Sequence, residues 1–143
     1  MTIHKKGQAH WEGDIKRGKG TISTESGALD NQPYGFNTRF EGKPGTNPEE
    51  LIGAAHSACF SMALSLMLGE AGFTPESIDT VADVSLDKVD GGFGITKVAL
   101  QSKVKLPGIA KDEFDKIIQQ AKAGCPISKL LSTEITLDYQ LEN

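Results

Sequence analysis

Two cysteines, Cys59 and Cys125, are the residues of this 143-residue chain best suited to chemistry. Cys59 lies in an uncharged run of 18 residues, Leu51 to Leu68, whereas Cys125 lies in the turn-like string Ala123-Gly124-Cys125-Pro126. Two thiols 66 positions apart in such different settings suggest a nucleophile and its resolving partner. The plain alternative is that Cys59 is a small buried hydrophobe and Cys125 a turn residue, since unreactive free cysteine is common inside proteins.

The elements that must position these thiols are legible in part. Thr46-Asn47-Pro48-Glu49-Glu50 predicts a helix start, with Asn47 as N-cap, Pro48 at the first helical position and Glu50 closing a capping box, which leaves the Glu49 carboxylate free. The helix should run to about Glu70, where Gly72 and Pro75 stop it, and its apolar residues cover every face, as in a helix enclosed by other elements. Before it, Gln8–Ile15, Gly20–Glu25 and Phe36–Glu41 read as strands of a small antiparallel sheet. After it, strands 77–89 and 93–106 flank Asp90-Gly91-Gly92 as a hairpin. Phe114, Ile117, Ile118 and Ala121 fall on one helical face that ends at Gly124, and residues 134–141 alternate as a last half-buried strand. The whole is α+β in one domain, residues 1–143, with antiparallel sheets around a long central helix.

Composition removes several functions. Fifteen Lys and Arg against nineteen Asp and Glu give a net charge of −4 with no basic block, so no nucleic acid partner is expected. The start, Met1 to Gln8, has basic residues without an apolar stretch behind them and does not read as a secretory signal. A cytoplasmic, reducing compartment follows, where a cysteine pair is more often catalytic than structural. The uncharged run reaches the lower limit of a membrane span, but its His56, Ser57, Ser61, Ser65 and Gly53 favour a helix buried in protein, hence no membrane. One chain of this length leaves few elements to cover a helix apolar all round, which argues for a homodimer.

Local chemistry ranks the thiols in a particular way. Cys59 is 12 residues past the N-cap, about 18 Å along the helix and beyond the reach of its dipole, so burial raises its pKa unless a cation is brought to it. Cys125 can cap a short helix opened by Pro126, a setting that lowers a thiol pKa. His56, three residues before Cys59, could pair with it or bind metal, yet His4 and His10 offer no ligand spacing, so no metal is expected and His56 reads as a packed or hydrogen-bonded residue near the dimer core.

The string from Thr46 to Phe60, TNPEELIGAAHSACF, with Gly124-Cys125-Pro126-Ile127-Ser128 downstream, resembles the signature of the OsmC/Ohr family of thiol peroxidases along the whole chain. Tyr34 to Phe40 is more similar to its osmotically inducible branch than to its organic hydroperoxide resistance branch. The resemblance implies an intertwined homodimer that reduces organic hydroperoxides to alcohols in defence against oxidative and osmotic stress. It implies that Cys59 is the peroxidatic cysteine and Cys125 the resolving one, joined in an intramolecular disulfide after turnover. It implies further that Arg39 activates Cys59, that Glu49 orients Arg39, and that an external dithiol, a lipoylated protein, is the reductant with no bound cofactor. Arg17 is the rival to Arg39, the chain having two arginines. Phe60, Met62, Ala63, Leu66 and Met67 could line an apolar entrance for the substrate. A non-enzymatic stress protein switched by the same disulfide is the competing class.

Overall fold

A computed structural model describes residues 1–143, whose contacts fall into two compact units, Met1–Leu51 and Ile52–Asn143. The first unit holds an antiparallel sheet of β1 (Gly7–Glu12), β2 (Lys19–Thr24) and β3 (Gln32–Tyr34) in that order. Trp11 and Tyr34 pack across it with ring centroids 5.6 Å apart. The expected strand at Phe36–Glu41 is instead a short helix, α1 (Phe36–Phe40). The reason is local: the Gly35 N–H donates to Thr38 Oγ1 at 2.9 Å, that hydroxyl donates back to the Gly35 carbonyl at 3.0 Å, and the turn is closed before a strand can pair. Phe36 and Phe40, four apart, then pack with tilted rings whose centroids are 5.0 Å apart.

Helix α2 (Pro48–Glu70) begins as its sequence dictates. Asn47 Oδ1 accepts the Glu50 N–H at 2.8 Å, and the Asn47 amide donates to Glu50 Oε1 at 2.9 Å, a side-chain variant of the reciprocal cap. It ends in a Schellman turn: Phe73 N–H reaches the Leu68 carbonyl at 2.8 Å and Gly72 N–H the Gly69 carbonyl at 3.0 Å, with Gly72 at φ +91, a conformation that favours glycine.

In the second unit, β4 (Ser77–Val89) and β5 (Gly92–Lys105) form the expected hairpin, with a bulge at Ser85/Leu86. Then α3 (Lys111–Gly124) and α4 (Pro126–Leu130) lead to β6 (Glu134–Glu142), which pairs with β5 in parallel rather than antiparallel fashion. Two helices intervene between β5 and β6, so the chain crosses over and re-enters the sheet in the same direction. Val98, Leu100, Ser102 and Val104 alternate inward on the central strand β5.

Phe60, Leu64 and Leu68 of α2 join Val98, Leu100 and Val104 and Phe114, Ile118, Ala121 and Cys125 in one core. Gly53 seats the helix, because a Cβ there would lie 2.8 Å from the Ala82 carbonyl of β4. The helix is not enclosed on every side: Ala54, Ala55, Ala58, Met62, Ser65 and Leu66 are exposed, and only 28% of its apolar window is buried. By length and composition alone α2 would pass as a membrane span.

Candidate active site

Helix α2 carries Cys59 on the border between its buried and open faces, partly exposed, and Cys125 stands at the junction of α3 and α4 with no exposed surface. Cys125 is at once the C-terminal cap of α3, its N–H reaching the Ala121 carbonyl at 3.0 Å, and the N-cap of α4, with Pro126 at the first position. Packing Ala121 and Cys125 into the core against α2 brings the two sulfurs to 3.0 Å. Both are free thiols.

Their electrostatics oppose one another. Burial pushes the Cys59 thiol up, the neighbouring Cys125 adds to the rise, and the Ile127 N–H offsets only part of it. Burial also acts on Cys125, but hydrogen bonds from Cys59, from the Ser128 N–H and hydroxyl and from the Ile127 N–H outweigh it, so its pKa falls. The two thiols share one hydrogen bond across the contact. The chain thus makes Cys125 the more acidic thiol of the two.

In the first unit, Arg39 of α1 and Glu49 in the first turn of α2 form a two-pronged ion pair, Nε to Oε1 at 2.8 Å and Nη2 to Oε2 at 3.0 Å. Glu49 is buried, and Arg39 retains 37% side-chain exposure with its guanidinium 5.4 Å from the Phe40 ring centroid. A planar fork matched to a carboxylate is fixed in direction as well as charge. Arg17, by contrast, is exposed and paired with Asp14 three residues away.

His56 packs wholly inside, with Nε2 2.8 Å from Ser128 Oγ, and burial lowers its pKa. Ser128 did not stand out in the sequence as a partner for His56. Among the expected entrance residues Phe60 is wholly in the core, whereas Met62 and Leu66 share the open face with Cys59 at three- and seven-residue spacing. A cleft of the second unit lies on the sheet, lined by Thr80, Val81, Gln101 and Tyr139 and by neither cysteine.

A helix-borne, partly exposed thiol against a buried, acidified thiol at the start of a later helix defines a two-cysteine redox protein of α+β architecture. The family model described as OsmC-like protein matches residues 40–140, and the chain belongs to that family. It is 80% identical over 143 residues, the full length of both chains, to a protein of Escherichia coli K12 named peroxiredoxin OsmC. To organic hydroperoxide resistance protein OhrB of Bacillus subtilis it is 32% identical over 124 residues, 86% of this chain and 88% of that one. The crystal structure of OhrB superposes with a TM-score of 0.67 at 26% identity, covering 95% of this chain and 97% of that one. An OsmC-like protein of unknown function from Vibrio cholerae shares the fold with a TM-score of 0.76 at 19% identity, covering 97% of this chain and all of the other.

Proposed function

We infer that the chain is a cysteine-based peroxidase that reduces organic hydroperoxides to alcohols in defence against oxidative and osmotic stress. The observation that carries this reading is the 3.0 Å approach of Cys125 Sγ to Cys59 Sγ. Membership of a family that includes proteins named for peroxiredoxin activity and organic hydroperoxide resistance supports it.

Accessibility divides the roles. Peroxide reaches the partly exposed Cys59 and not the enclosed Cys125. The Cys59 thiolate attacks the terminal oxygen of ROOH; the O–O bond breaks, sulfur keeps the OH as a sulfenic acid, and the departing alkoxide takes a proton to become ROH. Condensation with Cys125 gives a disulfide and water. An external dithiol, of the kind carried by lipoylated proteins, returns both sulfurs to thiols, and no bound cofactor takes part. Two free cysteines cycling in this way suit a reducing, cytoplasmic compartment.

Cys59 needs a cation, and Arg39, aimed by Glu49, is our choice over Arg17, whose exposed pairing with Asp14 leaves it undirected. Glu49 and Cys59 stand ten residues apart on one helix, about 15 Å along its axis, so an arginine held by Glu49 serves the Cys59 of a second copy. The exposed apolar stretch of α2 at Ala54, Ala55 and Ala58 supports an intertwined homodimer around that helix. Consumption of cumene hydroperoxide in the presence of a dithiol tests the reading. Turnover over many equivalents is expected, and stoichiometric oxidation without turnover would leave only a redox switch.

A further inference from the structure

A disulfide between Cys59 and Cys125 has two sulfurs, and the chain offers an outside thiol only one of them. Cys125 has no exposed surface and lies in the same buried cluster as Leu64 of α2 and Ile118 and Ala121 of α3. Its backbone is held on both sides: the Cys125 N–H reaches the Ala121 carbonyl at 3.0 Å, and the Cys125 carbonyl accepts the Lys129 N–H at 3.0 Å. Cys59, on α2, is partly exposed. In thiol–disulfide exchange the incoming thiolate, the attacked sulfur and the leaving sulfur come close to one line, and access decides which sulfur is attacked. Attack on Cys125 would need a thiolate inside the chain, on the side of Cys125 away from Cys59. A second copy packed on α2 can only cover more surface, so it does not open Cys125.

We propose that the reductant attacks the disulfide at Cys59 alone, and that Cys125 is an internal leaving group that never bonds to an outside molecule. The inference rests on the peroxidase reading and specifies its return half. One thiolate of the external dithiol bonds to Cys59 Sγ; the Cys59–Cys125 bond breaks, and its electron pair leaves with Cys125 as a thiolate. The second thiol of the reductant, having lost its proton, attacks the first reductant sulfur, closes the reductant's own disulfide and expels Cys59 as a thiolate. The protein disulfide is reduced by two electrons, the dithiol is oxidised by two, and the two protons it gives up match the two protein thiolates.

The 3.0 Å between the sulfurs adds a competition. After the first step the Cys125 thiolate stands beside the mixed disulfide and can return to Cys59, expelling the thiol that has just arrived. A second thiol from solution meets that intramolecular return at a disadvantage. A second thiol carried by the same reductant does not, because its attack is intramolecular too. The lowered pKa of Cys125 favours its departure in the first step.

Two measurements on full-length protein, oxidised with one equivalent of cumene hydroperoxide, test the site of attack. In the first, excess 2-mercaptoethanol, a probe with one thiol, is added, and the reaction is quenched in acid at short times, unfolded, alkylated and mapped by peptide mass. The 2-mercaptoethanol adduct on Cys59 should exceed that on Cys125 by at least about tenfold, because access to the attacked sulfur sets the rate. In the second, the rate of disulfide loss with dithiothreitol should stay within about twofold as urea is raised to just below the unfolding transition, since attack on an exposed sulfur needs no local opening. An adduct on Cys125 in equal or greater amount, or a reduction rate that climbs with urea, would overturn the inference and leave the peroxidase reading standing. Failure of the hydroperoxide to form the disulfide would overturn both.

Discussion

Arg39 grips Glu49 through two hydrogen bonds, at 2.8 and 3.0 Å, and the carboxylate it grips is buried. A charge so directed suits the role proposed above for Arg39 toward a Cys59, whose thiol burial pushes up. Arg39→Ala should therefore raise the Cys59 pKa and lower the peroxidase rate at pH 7 by at least about tenfold, since one opposite charge shifts a neighbouring pKa by 1–3 units. The loss should shrink as pH rises and hydroxide does the deprotonating. Arg17→Ala should change neither. Thiolate absorbance titrated in each variant, beside the rate profile, provides the check.

Two copies are required if Glu49 and Cys59, about 15 Å apart on one helix, are to serve one site. Sedimentation should report about twice the 15.3 kDa of the chain. Mixed dimers of Glu49→Ala and Cys59→Ser subunits should recover activity, because the cysteine of the first receives its glutamate from the second. No rescue in verified heterodimers would rule out the arrangement in trans.

Some of this was written plainly in the sequence and some was not. Asn47-Pro48-Glu49-Glu50 announced α2 to the residue, and the spacing of Phe114, Ile117, Ile118 and Ala121 announced the buried face of α3, because caps and periodicity are local signals. Phe36–Phe40 misled, since aromatic and threonine residues favour strands until a Thr38 side chain closes the turn on Gly35. The parallel pairing of β6 could not be read, as alternation of Ile135, Leu137 and Tyr139 fits either direction. Of the site, both cysteines and the chemistry of Cys125 as an N-cap were legible. The Ser128 link to His56 joins positions 72 residues apart and depends on tertiary packing alone.

Substrate choice should follow the open face of α2. Met62 and Leu66, exposed beside Cys59, offer apolar surface that gains about 25 cal/mol per Å² when a hydrocarbon covers it. Cumene and tert-butyl hydroperoxides should give higher kcat/KM than hydrogen peroxide. Met62→Ser should narrow that preference by weakening the organic substrates alone. A ratio favouring hydrogen peroxide would contradict this placement of the entrance.

Stability should fall on acidification through His56. Its folded pKa lies below the ordinary 6.5 because burial penalises the cation, so the unfolded chain takes up a proton that the folded chain refuses. Full stability is therefore expected above about pH 6.5, declining as pH drops below that value toward the folded pKa. Urea midpoints measured at pH 7.5 and pH 5.5 should differ more in wild type than in His56→Gln. Equal slopes in both would show that His56 titrates as freely when folded as when unfolded.

The division of labour between the two sulfurs is tested most directly by intact mass after one equivalent of cumene hydroperoxide on reduced Cys59→Ser and Cys125→Ser proteins. Cys125→Ser should gain one oxygen at Cys59 and then stall, and Cys59→Ser should neither gain mass nor consume peroxide. Turnover retained by Cys59→Ser, with the first oxidation lost in Cys125→Ser, would make the buried cysteine the peroxidatic one and contradict the assignment.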